Sequence, residues 1–264
     1  TIPGTTSIGD NNITVDWNII KTNHNVTIDD DSDLPTGKNG NRTVLGLMVE
    51  SNTIEVSGVT DATTNTGYGL TVSHYLDLTG TIDLEGESQL IQTVNSDLDV
   101  TSAGYLERDQ QGQTSIYNYN FWSSPVNPVN TTANNTDYSI AGILKDGTTA
   151  AVPQTISFNT GGYDGAAGSP ITLADYWIFK YINQPDLYAN WMNGHIRSTG
   201  TLKVGEGYTQ KGTGAVSATQ NYVFSGKPNN GVIHHTIGSN NVYLVGNPYA
   251  SALDANQFIN DNLF

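Results

Sequence analysis

The stretch "HYLDLTGTIDLEGESQLIQT", residues 74–93, carries the pattern on which the fold turns. Apolar residues stand two apart as Leu76/Leu78 and Ile82/Leu84, with Asp77 and Asp83 between them and Glu85 following. A period of two sends alternate side chains to opposite faces of a strand, so the aliphatic pairs read as inward and the carboxylates as outward. On either side, "NTIEVSG" supplies Ile54/Val56 and "SDLDVTS" supplies Leu98/Val100, so these pairs fall at equal steps before and after Leu76/Leu78. A second row, Val26/Ile28, Leu47/Val49 and Leu70/Val72, recurs at steps of nearly the same length.

Strand pairs that recur about every 20 residues, with Gly, Asn, Ser or Thr at the corners, are what a parallel β-solenoid (β-helix) requires. Each rung leaves its inward pair uncovered until the next rung stacks on it. A meandering sandwich also spaces its strands, at about 8 to 12 residues; the joint register of the two rows favours the solenoid. The expectation is a solenoid over residues 1–112 with Leu76, Leu78, Leu98 and Val100 inward. Glu55, Asp77, Asp83, Glu85, Asp97 and Asp99 then form an acidic outer face, which opposes edge-to-edge pairing.

Beyond residue 112 the strands become aromatic: "SIYNYNFW", "DYWIFKYI", "NYVFSG" and "NNVYLVGN". Prolines fall at strand ends, where a missing N–H does no harm. Residues 113–264 therefore read as a β-sandwich, and the whole chain as all-β: a short solenoid, then the sandwich with one short C-terminal helix. The alternation in "IYNYNF" sets Tyr117, Tyr119 and Phe121 on one face and Asn118, Asn120 and Trp122 on the other, as in a strand with one buried face. In "DYWIFKYI" the charge of Lys180 sends Tyr176, Ile178 and Lys180 outward and Trp177, Phe179 and Tyr181 inward. "SALDANQFINDN" reads as the helix, with Ser251 as its N-cap and Asp254 as capping partner. Between the two modules, "LERDQQG" offers Glu107, Arg108 and Asp109 as an interdomain polar network, in which Arg108 can pair a carboxylate bidentately.

The chain has 264 residues, of which 25 are acidic and 10 basic, for a net charge of −15. That balance argues against nucleic acid or anionic lipid as partner, since phosphate binding needs clustered Lys and Arg. With no cysteine, disulfides, thiol catalysis and Cys-ligated metals are excluded. No apolar run of about 18 residues encodes a membrane span. The start at Thr1 and the end just after a helix-like piece suggest a trimmed piece of a longer secreted protein.

Six stretches in order, "LTVSHYLDLTGTIDLEGESQLIQT", "YLERDQQGQ", "YNYNFWSSPV", "GEGYTQKGTG", "YVFSGKPNNG" and "LVGNPYASALDANQFINDN", resemble a group of large secreted surface proteins of Bacteroidetes, above all flavobacteria. The resemblance covers roughly residues 44 to 264. It implies an extracellular, cell-surface, adhesin-like and non-enzymatic protein exported by the type IX secretion machinery. The group's separate C-terminal sorting domain has no match here.

Three chemistries suit particular residues. Asp29, Asp31 and Asp33 in "TIDDDSDLPTG" are hard oxygen ligands that suit Ca²⁺, although Leu34 and Gly40 depart from the EF-hand pattern. The pairs Asp83/Glu85 and Asp97/Asp99, about 6.5–7 Å apart on a straight strand, do not exclude polysaccharide hydrolysis, but nothing nearby would raise one carboxyl. The leading expectation is a structural, adhesin-like stalk or surface module, and carbohydrate binding is the alternative ahead of hydrolysis, because sugar faces stack on exposed aromatic rings that also offer a polar edge. Trp122, Tyr188 and Trp191 are the candidates, the last two in a Pro- and Asn-containing loop. The five histidines form no HExxH or His-x-His pattern.

Overall fold

The computed structural model describes residues 6–7, 14–15, 18–29, 40–60 and 65–263. The protein is all-β in character: strands dominate, and among the described residues helix is confined to Ile140–Ile143, Ala255–Asp261 and two 3-10 turns, Asp175–Trp177 and Tyr188–Gly194. The chain divides into two compact units, one of residues 1–106 with 129–134 and one of residues 107–128 with 135–264.

In the first unit two parallel arrays carry the core. One stacks Val26–Ile28, Thr53–Val56 and Thr81–Leu84, with Val26, Ile54 and Ile82 in one column and Ile28, Val56 and Leu84 in the next. The other pairs Ile19–Thr22 with Arg42–Val49 and that strand with Gly69–Leu78. Gly69–Leu78 in turn takes Gln89–Gln92 along its first half and Asp97–Leu98 along its second. Leu47, Leu76 and Leu98 share a column, as do Val49 and Leu78. Ile54, Val56, Leu76, Leu78, Ile82, Leu84 and Leu98 are all buried, and each contributes roughly 1.5–3 kcal/mol through the apolar surface removed from water.

These columns correct the evenly spaced rows. Ile54/Val56 align with Val26/Ile28 and Ile82/Leu84, not with Leu76/Leu78. Val100 is 40% exposed rather than inward. The reason is a turn: Asp99 Oδ1 accepts from both Thr101 N–H (2.8 Å) and Thr101 Oγ1 (2.7 Å), which ends the strand at Leu98. The inward parity also changes once within Arg42–Val49, where the register shifts between Val44 and Gly46, so that Val44 and Leu47 are both buried.

Side chains at the corners tie each turn to the one before. Asn52 Nδ2 donates to Asn23 O at 2.7 Å, and Asn25 Oδ1 accepts from Thr53 N–H at 3.1 Å. Fully buried Ser88 donates to Ser57 O (2.8 Å) and accepts from Tyr68 N–H (2.9 Å). The turns approach so closely that a Cβ on Gly104 would stand 2.0 Å from Gly80 O. Glycine is needed there for space.

The second unit is built from short, mostly antiparallel pairs. Its longest strand, Thr219–Pro228, pairs with Leu144–Asp146 and, at its far end, with Val126–Asn127. A three-stranded sheet sets Tyr208–Lys211 between Tyr119–Trp122 and Phe179–Lys180. Tyr138, Ile140, Ile143, Leu144, Tyr181, Tyr208 and Tyr222 are buried. Buried Asn229 fastens three segments: its Nδ2 donates to Ser124 O and Pro248 O, and its Oδ1 accepts from Asn127 Nδ2. The C-terminal helix spans Ala255–Asp261, and its N-cap is Asp254, whose side chain accepts from Gln257 N–H, not Ser251.

Candidate functional site

Asn120 decides the surface of the three-stranded sheet. Its amide is buried and bonds Gln113 twice, accepting from the N–H at 3.0 Å and donating to the carbonyl at 3.2 Å. Alternation then turns Tyr119 and Phe121 outward, 36% and 58% exposed, and Tyr117 before them is 80% exposed. On the partner strand, Tyr208 and Gln210 are buried and Lys211 sits directly opposite Tyr119.

The turn Asp175–Trp177 brings a second group of rings beside the first. It is 3-10 rather than extended, so the period of two read through "DYWIFKYI" does not hold: Ile178 is fully buried, and Tyr176 and Trp177 are both half-buried. Buried Asp175 anchors the turn, accepting from Ser198 N–H at 2.7 Å and from Arg197 Nη1 at 3.1 Å. Burial alone would raise its carboxyl, but the Ser198 hydrogen bonds and the Arg197 guanidinium outweigh that and hold it below the usual carboxylate value. Trp177 Nε1–H donates to Tyr163 O at 2.6 Å, bringing Tyr163, 62% exposed, against the same turn.

The result is a continuous chain of rings on the second unit. Phe121 and Tyr119 have centroids 6.3 Å apart, Tyr119 meets Trp177 edge-on at 6.2 Å, and Trp177 meets Tyr176 at 4.8 Å and Tyr163 at 6.0 Å. Tyr176 continues to His195 at 4.8 Å, and His195 stacks on Phe179 at 4.9 Å. Over the middle lies Lys211, with Nζ 3.5 Å from the Trp177 ring centre and 5.1 Å from that of Tyr119. Burial lowers the lysine's pKa, and Asp164 acts in the opposite direction. The Tyr119 hydroxyl is raised, first by burial and then by charge on Tyr188 and Tyr176.

The residues expected from sequence are distributed as follows. Tyr188 is 92% exposed on the Tyr188–Gly194 turn. Trp191 is half-buried and packs on buried Tyr181 at 4.9 Å. Trp122 packs edge-on against Tyr222 (5.0 Å) and Phe224 (6.0 Å), in space that a Cβ on Gly112 would fill. Both rings are half-buried and lie against neighbouring aromatic side chains. Sequence reasoning misses Tyr119, Phe121, Tyr163, Trp177 and Lys211; the density of aromatics in "YNYNF" and "DYW" is a signal for Tyr119, Phe121 and Trp177, and none marks Tyr163 or Lys211. Glu107 is half-buried, its carboxyl raised by burial and opposed by the Ser225 hydroxyl at 3.3 Å, and Arg108 and Asp109 are half-buried beside it. Asp29 is exposed, while Asp31 and Asp33 lie outside the described residues. Among the described residues no three His, Asp or Glu side chains gather as ligands for a metal ion, and no helix is long and apolar enough to cross a membrane.

A family model described as a domain of unknown function (DUF8693) matches residues 155–263, less than half of the chain. That span holds Tyr163, Tyr176, Trp177, Tyr188 and Lys211 but not Tyr119 or Phe121. No curated protein and no solved structure matches the chain.

Proposed function

We propose that this protein is an extracellular, cell-surface-associated, adhesin-like module, exported by type IX secretion, that holds carbohydrate on the aromatic surface of its second unit. The observation that carries the reading is the chain of rings Phe121–Tyr119–Trp177–Tyr163, whose outer members are more than half exposed. Exposed apolar surface on a folded protein costs solubility and is kept where it meets a partner. Flat rings with polar edges suit the C–H faces and hydroxyls of sugars. In this reading the first unit is a short parallel β-solenoid acting as a stalk, supported by the in-register stacking of Val26, Ile54 and Ile82. The second unit is a β-sandwich that presents the rings.

The test is retention on insoluble and soluble polysaccharides, run beside a thermal melt. Wild type should be retained by at least one polymer. Trp177→Ala should lose retention by 10-fold or more, and Phe121→Ala should weaken it with the melting temperature held. A protein retained by no polysaccharide, or retained equally after both substitutions, overturns the carbohydrate reading.

A further inference from the structure

Resting on that carbohydrate reading, we propose that the bound glycan is anionic and that Lys211 is the residue that takes its carboxylate or sulfate. Lys211 differs from the ion-paired cations in what its ammonium touches. Lys21, Lys180 and Arg197 each pair with a carboxylate, at 2.5, 3.4 and 3.1 Å. Lys211 has neither an ion pair nor a side-chain hydrogen bond among the described residues; its ammonium lies against the rings of Trp177 and Tyr119. Ring faces attract the positive charge but do not satisfy three N–H donors directionally.

The strand register fixes the lysine there: Tyr119 is its direct cross-strand neighbour, and buried Gln210 and half-buried Lys211 alternate about the sheet. An ammonium half-withdrawn from water in the middle of an aromatic surface is a poor choice for binding a neutral sugar, since stacking needs no charge. For an acidic sugar it supplies the missing element, a cation within reach of a substituent on a ring stacked beside it. Such an ion pair is strengthened by the same partial desolvation that lowers the free lysine's pKa. The net charge of −15 does not forbid this. At physiological ionic strength the Debye length is about 8 Å, so distant carboxylates are screened while a contact pair is not.

The experiment compares wild type, Lys211→Gln and Lys211→Arg by affinity electrophoresis in three sets of polymers. Polygalacturonate and alginate carry carboxylates, carrageenan and dextran sulfate carry sulfates, and laminarin, xylan and dextran are neutral. Wild type should bind one acidic set at least 10-fold more tightly than the neutral set, more weakly as salt is raised. Lys211→Gln should lose that preference and Lys211→Arg keep it, with all three proteins melting together. The set that binds tells carboxylate from sulfate. Tight binding of a neutral polymer, unchanged by Lys211→Gln, overturns the anionic assignment and leaves the carbohydrate reading standing. Acidic binding indifferent to Lys211→Gln also overturns it, and failure to bind any polymer overturns both. If Lys211→Gln melts lower, Lys211→Arg and the salt dependence of the wild type decide the matter.

Discussion

The carboxamide of Asn120 takes both backbone hydrogen-bonding groups of Gln113, the N–H at 3.0 Å and the carbonyl at 3.2 Å. A side chain here does what a neighbouring strand would do, and that commitment points Tyr119 and Phe121 to the surface. Asn120→Leu has a suitable volume but leaves a donor and an acceptor unpaired. The expected loss is about 1–3 kcal/mol in urea unfolding, the range for an orphaned buried polar group. Asn120→Asp keeps the acceptor but sets a buried carboxylate against the Gln113 carbonyl, and should cost at least as much as Leu at pH 7. A Leu variant as stable as wild type would mean that water replaces the amide without cost.

Asn120 also shows why the site is only half legible in the sequence. The period of two in "IYNYNF" is visible, but hydrophobicity alone ranks the two faces, and that ranking places rings inside and amides outside. A buried amide is tolerated when it has partners, and its partner, Gln113, cannot be seen in a one-dimensional pattern. The turn at Asp175–Trp177 hides Trp177 for a related reason. A 3-10 segment inside an otherwise strand-like string changes which residues share a face. The first unit reads better, because aliphatic pairs two apart signal burial with no help from partners. What fails there is the choice of which pairs align. Even spacing favours rows through Ile54, Leu76 and Leu98, whereas the register joins Ile54 to Val26 and Ile82, a longer step along the chain in both directions.

The corrected columns give a direct test. Leu98 is buried beneath Leu76, while Val100 lies past the Asp99–Thr101 turn and is 40% exposed. Leu98→Ala should cost about 2–5 kcal/mol, as for emptied aliphatic core sites. Val100→Ala should stay within about 0.5 kcal/mol. Leu78→Asp, placing a charge without a partner at a fully buried position, should cost several kcal/mol or prevent folding of the unit. Equal losses at Leu98 and Val100 would restore the evenly spaced row.

Two aspartates should respond to pH in opposite senses. Asp77 follows Leu76, the register partner of Leu98, and its carboxyl is raised by burial, then by Asp99 and Glu50. A raised folded value means a contribution to stability present below the unfolded value, about 3.9, and lost as pH rises through the folded one. Asp77→Asn should therefore gain a few tenths of a kcal/mol at pH 7, the side chain being partly solvated, and nothing at pH 3. Asp175 is held low, so its contribution is present above the unfolded value and lost as pH falls through the folded one. Asp175→Asn should cost about 1–3 kcal/mol at pH 7, with the difference narrowing in acid. Urea melts from pH 3 to 7 read both. A stabilised Asp175→Asn, or an Asp77→Asn that is neutral at every pH, contradicts the assigned environments.

Tyr188 and Trp191, three positions apart on one 3-10 turn, should separate binding from packing. In such a turn residues at this spacing lie on the same side, yet here one ring is free and the other is not. Tyr188 is 92% exposed, whereas Trp191 rests on Tyr181, itself 1% exposed and bonded through its hydroxyl to the Pro185 carbonyl. Trp191→Ala removes a half-buried ring and one aromatic pair. Its cost should be about 1–3 kcal/mol, below the roughly 3–5 kcal/mol of a fully buried aromatic site. Tyr188→Ala should leave stability within about 0.5 kcal/mol and weaken polysaccharide retention 3- to 10-fold, because its ring is 92% exposed on the same unit as the other rings. Retention measured well below the melting temperature of the Trp191 variant keeps the two effects apart. If Trp191→Ala instead abolishes retention at an unchanged melting temperature, the sugar stacks on that turn, and the surface around Trp177 is a packing cluster.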